Sequence, residues 1–184
     1  MFNKITIVYL FLLFRTVSGY CQTKYAPSFP QSFIGNWKGT LTWTIPGKAP
    51  QTFTMRLNVQ PADSGRYTWQ IIYGDEDPST SPKVDNRQYV LIPVDTAKGH
   101  WVIDERNSII LDSYWIANRF TGVFAVGGST IFDAYWIDAE GLHVEFVTYN
   151  SKPLNTTGGT SKEIPPVESY QIKSVQRGVL KKVK

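Results

Sequence analysis

Cysteine is almost absent from this 184-residue sequence: Cys21 stands alone, so no intramolecular disulfide can form and stability must come from a packed core. Histidine is scarce as well, and His100 and His143 leave few imidazoles from which to build a metal or acid–base site. No twelve-residue window carries a 3.6-residue apolar repeat, and 14 glycines with 11 prolines interrupt any long helix. At most one short helical turn is expected, near residues 29–33. No basic stripe is present to follow a phosphate backbone, which argues against a nucleic-acid partner. The single long apolar run, residues 5–14, is too short to span a bilayer as a helix.

That run follows the positively charged start Met1-Phe2-Asn3-Lys4, stops at Arg15, and precedes the small residues Val17-Ser18-Gly19. This is the layout of a cleaved export signal, with the cut expected between Gly19 and Thr23 and the product in a periplasmic or extracellular space. Tyr20 occupies the place where a lipid-anchoring pattern wants a small residue, so Cys21 reads as an inert thiol. Loss of Lys4 and Arg15 leaves 17 of the 19 basic residues against 15 acidic ones, a net charge of about +2 instead of +4. The chain therefore divides into an export and cleavage region over residues 1–22, a polar lead over 23–32, one domain over 33–182 and a basic tail at 183–184.

What the sequence has in abundance is aromatic side chains, with six tryptophans, ten tyrosines and ten phenylalanines. Most sit on short stretches that alternate apolar and polar residues between turn signals. The clearest is Asn36-Trp37-Lys38-Gly39-Thr40-Leu41-Thr42-Trp43-Thr44-Ile45, whose odd positions are all apolar or glycine. Period-two order of this kind puts one face in a core and the other in water. Residues 53–59 and 66–73 repeat the pattern, the latter with Tyr67, Trp69, Ile71 and Tyr73 in phase. Further strands are expected over 87–94, 100–105, 108–116, 120–126, 130–138, 142–149 and 169–180. Over 87–116 apolar residues fall on both parities, and the facing is open. Residues 151–168, rich in proline, glycine, threonine and serine, read as a long loop.

Short connections between ten strands imply that neighbours pair in sequence. An open meander would expose two edges; pairing the first strand with the last removes them and can enclose a small ligand. The expected fold class is all-β, a single antiparallel meander closed into a barrel of about ten strands.

Phe33-Ile34-Gly35-Asn36-Trp37-Lys38-Gly39 resembles the Gly-x-Trp opening of the calycins, the lipocalin and fatty-acid-binding barrel group, at the matching place before and within the first strand. The resemblance implies that Trp37 plugs one barrel end and that a basic residue on the last strand packs across it, for which Arg177 is the candidate. The strand count exceeds the eight of true lipocalins, and residues 46–51 are too few for the helical lid of fatty-acid-binding proteins. The layout is closer to the lidless nitrobindin-like barrels, whose last strand ends in an apolar-then-basic pattern similar to Val179-Leu180-Lys181-Lys182. Those proteins bind haem through a histidine just before that pattern; this chain has Val175-Gln176-Arg177 there, so no cofactor is expected.

Two readings of the aromatic interior remain open: a solid core, or a cavity for a small apolar or amphipathic ligand. For the second, Trp69, Tyr89, Trp115 and Trp136 are candidate lining residues beside Trp101 and Tyr135, and Arg119 and Arg177 are candidate anchors for a ligand carboxylate. Arg177 has a structural alternative as the cap of Trp37, and Arg87 faces the same choice. The acidic run Asp75-Glu76-Asp77 lacks the spacing of a calcium loop and reads as a solvated hairpin tip. His143 and Glu145 share a strand face, and Asp133, Asp138, Glu140 and Glu145 supply carboxylates, yet no motif ties them to a reaction. Asn155-Thr156-Thr157 is a glycosylation sequon, relevant in a eukaryotic host. The expected function is non-catalytic binding of a small, largely apolar molecule. The alternatives are a secreted interaction module, such as a carbohydrate-binding β-sandwich with surface aromatics, and an enzyme using carboxylates or His143 with Glu145.

Overall fold

The protein is described by a computed structural model over residues 28–183; residues 1–22, where the sequence leads one to expect an export signal and its cleavage, and with them Cys21, lie outside the described residues. Each alternating stretch becomes a strand. In chain order these are β1 (Gly35–Thr44), β2 (Gln51–Val59), β3 (Tyr67–Tyr73), β4 (Asp85–Asp95), β5 (His100–Asp104), β6 (Ile110–Ile116), β7 (Arg119–Val126), β8 (Ser129–Ile137), β9 (Leu142–Asn150), β10 (Asn155–Thr157), β11 (Val167–Ser169) and β12 (Ile172–Val183). Strands β1 to β9 pair with their sequence neighbours, and β12 lies between β9 and β1, closing a ten-stranded antiparallel barrel. This architecture is consistent with a calycin-like fold in general. It excludes two facing sheets, the geometry of the sandwich alternative.

Closure rests on a long seam. Asn36 to Thr44 of β1 pair without interruption with Val183 to Val175 of β12. Gly39 and Gly178 sit within it, facing inward, and each lies against the opposing backbone. A Cβ on Gly39 would meet the Val179 carbonyl oxygen at 2.3 Å, and one on Gly178 would meet that of Thr40 at 2.2 Å. Absence of side chains at these two places lets the strands coil tightly enough for the barrel to close.

One end of the interior is filled by aromatic rings. Residues before β1 fold back over it through a 3-10 turn, Gln31–Phe33, where the sequence predicts one short turn, and two further 3-10 turns, Asp63–Gly65 and Thr96–Lys98, exceed the single turn expected. Phe29 belongs by sequence to the polar lead, yet its ring stacks on Phe120 at 4.4 Å and on Trp115 at 5.1 Å between centroids. Phe33 is fully buried against Trp69 and Trp115. Trp37 is buried, and its indole N–H donates to the Phe33 carbonyl at 2.8 Å, tying the turn to the first strand.

The cation over Trp37 is Lys182, whose Nζ lies 5.4 Å from the ring centroid. The expectation that Arg177 packs there is corrected by parity. On β12 Gln176, Gly178 and Leu180 pair with inward residues of β1, whereas Arg177 pairs with outward Thr42 and is exposed. Lys182 pairs with Trp37 itself, five positions further along the strand.

Residues 151–168 are also more ordered than a loop: Asn155 to Thr157 pair with Ser169 to Val167 as a small ribbon outside the barrel. The last barrel strand runs to Val183 and takes in part of the expected tail.

Trp37→Ala is expected to destabilise the protein by about 3–5 kcal/mol, since it removes a buried ring and leaves a cavity. Lys182→Met should cost no more than about 1 kcal/mol, the worth of a partly exposed cation over a ring. Arg177→Met should leave the unfolding midpoint unchanged. Denaturant unfolding of the three variants checks all of this, and an arginine effect exceeding the lysine effect would refute the capping assignment.

Candidate functional site

Beyond the aromatic end the inward side chains no longer meet, and a cavity of about 520 Å³ opens toward the far end of the barrel. Its walls are apolar, with Ile71, Ile103, Leu111, Phe124, Ile131 and Phe146 contributed by six different strands. A second space of about 390 Å³, bounded by Trp43, Phe53 and Gln176, shares Tyr73, Arg87, Phe124, Ile131 and Phe146 with the first. The two adjoin across these shared side chains and together make up the chamber. Strand alternation places these residues: β7 and β8 pair Phe120 with Tyr135, Gly122 with Asp133 and Phe124 with Ile131, which fixes one inward row.

The polar groups of the chamber are few. Arg87 projects near the mouth with its side chain 43% exposed; its Nε and Nη2 donate to Asp85 Oδ2 at 2.9 and 2.7 Å. The guanidinium lies 5.1 Å from the Tyr73 ring centroid, and the hydrogen bonds to Asp85 hold it firmly protonated. Tyr89 and Glu105 complete the polar part of that wall.

Deeper in, Asp133 is only 6% exposed, and one carboxylate oxygen, Oδ1, has no hydrogen-bond partner. Burial pushes its pKa up to about 6, and the backbone N–H groups of Gly122 and of Asp133 itself offset this only in part. Gly122 makes room for it, since a Cβ there would stand 2.8 Å from Oδ1 and 3.0 Å from the hydroxyl of buried Ser113. The indole N–H of Trp43, in the outer part of the chamber, is likewise buried without a partner.

Of the six residues the sequence offers as ligand contacts, the structure brings one, Tyr89, to the chamber. Trp69 is fully buried in the aromatic end among Phe29, Phe33, Phe120 and Tyr135, and Trp115 stacks on Phe29 there. Arg119 and Trp136 lie on the outer face because Phe120 and Tyr135 take the inward positions beside them. Outside they build a cross-strand stack, with the Arg119 guanidinium 4.1 Å from the Trp136 centroid and the His143 ring 4.8 Å away at an interplanar angle of 8°. Arg177 borders an outer groove with Thr42, His143 and Glu145.

Sequence reasoning missed Asp133 as an interior group, together with Trp43 and the aliphatic walls, and raised Arg87 only as a possible anchor or cap. A signal for the first existed: Gly122 interrupts an otherwise good strand, and a mid-strand glycine marks a place where something approaches the backbone closely. Asp133 is separated from the other carboxylates of the glycosidase reading, for Asp138 binds His143 at 2.8 Å on the outside and Glu140 stands in the following turn. Asp75 pairs with Lys38 and Thr54, and Asp77 accepts from Ser79, so the acidic run is occupied by local partners. Among the described residues no group of three His, Cys, Asp or Glu side chains is arranged to hold a metal ion.

No protein-family model matches the chain, and neither a curated protein nor a solved structure matches it at a significant level.

Asp133 makes stability pH-dependent in a defined direction. Its pKa in the fold lies above the unfolded value, so the neutral form favours the fold; that contribution is complete below about pH 4 and is lost as pH rises through about 6. Asp133→Asn, which stays neutral, should therefore gain on the parent by up to about 3 kcal/mol between pH 4 and pH 8. Chemical denaturation at the two pH values measures the difference, and an unchanged gap would show that Asp133 ionises freely.

Proposed function

We propose that the protein is an exported, non-catalytic carrier or sensor that holds a small amphipathic molecule inside its barrel. The observation that carries this reading is the division of the interior: one end is closed by stacked rings while the other leaves a chamber of about 520 Å³ with mainly aliphatic and aromatic walls. Volumes of this order suit a metabolite-sized ligand, and apolar walls with a few placed polar groups are what such sites require. The polar groups of the chamber are phenols, one paired arginine, two carboxylates, the Thr148 hydroxyl, the Gln176 amide and the Trp43 indole N–H, and no imidazole is among them. Within the calycin-like architecture, ten barrel strands and a short β1–β2 turn favour the lidless nitrobindin-like layout. On β12 the inward residue at the position of interest is Gln176, which supplies no imidazole for haem iron.

Surface recognition through exposed aromatics has less support. Trp136 lies between Arg119 on the β7 side and His143 on the β9 side, so both ring faces are already covered. A sugar has no free face of Trp136 to stack on.

Native mass spectrometry of protein purified from its own host is expected to show a retained small molecule, and extraction should change tryptophan emission through Trp43. Ile131→Trp, which fills the chamber at its centre, should abolish uptake of an apolar fluorescent probe and leave the fold intact. Protein that arrives empty and takes up no such probe would defeat the reading. Export has its own test: the secreted form should begin between Gly19 and Thr23, and an intact mass that retains residues 1–14 on that fraction would contradict it.

A further inference from the structure

Asp133 is the one chamber carboxylate that is deeply buried and incompletely partnered. Its residue is 6% exposed, Oδ1 accepts no hydrogen bond, and it belongs to none of the ion pairs among the described residues. The nearest candidate cation of the chamber, Arg87, is already engaged at the mouth by Asp85 through two nitrogens and by the Tyr73 ring. A buried carboxylate in this condition is stabilised by a group that brings positive charge and hydrogen-bond donors together. A primary ammonium does both, with three donors on one atom. A ligand carboxylate at the same depth would add a second negative charge, and a hydroxyl would supply a donor without charge.

We propose that the molecule held in the barrel is an amphipathic primary amine whose ammonium group pairs with Asp133 and whose apolar body extends past Ile131, Phe124 and Phe146 toward Trp43 at the mouth. This rests on the cavity reading above and assigns its polarity: cation inward, hydrocarbon outward. The surroundings of Asp133 agree. Tyr135 on its own strand and Tyr73 on β3 are phenols that burial keeps neutral, Tyr89 on β4 is shifted in the same direction, and the neighbouring β7 and β9 present Gly122, Phe124 and Phe146. The charged groups facing it from further off are Arg87 on β4 and Glu105 after β5. No imidazole lines the chamber, so Asp133 is the group whose charge changes near neutrality.

Three probes with one body and different heads test the proposal: octylamine, octan-1-ol and octanoate, titrated calorimetrically into the intact mature protein at pH 7.5. Octylamine should bind at least about tenfold more tightly than octanol, and octanoate should be weakest. Asp133→Asn should retain octanol binding and lose the preference for the amine. In the parent the amine affinity should fall by about tenfold per pH unit well below pH 6, because the ammonium must then displace a proton; the variant should show no such dependence. That pH profile decides the matter in the unmodified protein should the variant fold poorly. Equal or tighter binding of octanol or octanoate by the parent, or an amine preference that survives Asp133→Asn, would overturn the amine assignment and leave the cavity standing. Failure of all three probes to bind would remove the cavity reading and this one with it.

Discussion

The pairing of the first barrel strand with the last is the interaction on which the rest of the structure depends. Nine consecutive residues of β1 pair with nine of β12 while the same strand pairs with β2 on its other edge. Without that seam the meander is an open sheet with two free edges, its inward row exposed to water on one side and its chamber absent. Gly39 and Gly178 carry the geometric condition for the seam, since their missing side chains let two backbones approach within a distance any Cβ would block.

Inside the closed wall, stability and binding are assigned to opposite ends. The aromatic end contains Phe33, Trp37, Trp69, Trp101 and Phe120, all buried, with Phe29 stacked among them. Ring pairs at such spacings contribute beyond the area they bury. The far end holds what the aromatic end does not: a buried carboxylate with one oxygen lacking a partner, and a cavity of about 520 Å³. A barrel lets these coexist because the wall is held by backbone hydrogen bonds that do not depend on what fills the interior.

Much of the wall was legible in the sequence, and most of the chamber was not. Alternation over residues 36–45, 53–59 and 66–73 placed β1 to β3 to within two residues, and the edge argument for closure agrees with the observed order. The ribbon of β10 and β11 was hidden because three-residue strands in a proline- and glycine-rich segment carry no period. Site residues depend on parity, a finer property than strand existence. Trp136 and Arg119 look like binding groups by type, yet one position decides between inside and outside. Arg177 and Lys182 differ in the same way: both are basic and on β12, and only Lys182 shares the register position of Trp37. Asp133 escaped because buried carboxylates are rare enough that an acidic residue in a strand is read as solvent-facing.

The seam also sets an order of events as the chain folds. Its nine pairs join residues roughly 130–150 positions apart, a separation that makes contacts late and slow to form. Strands β1 to β9 can grow by hairpin addition as they emerge, but the wall lacks Gln176 and its neighbours until β12 docks. The chamber therefore has no complete wall until the two ends of the described chain have met, and a molecule enclosed in it is held by residues from both.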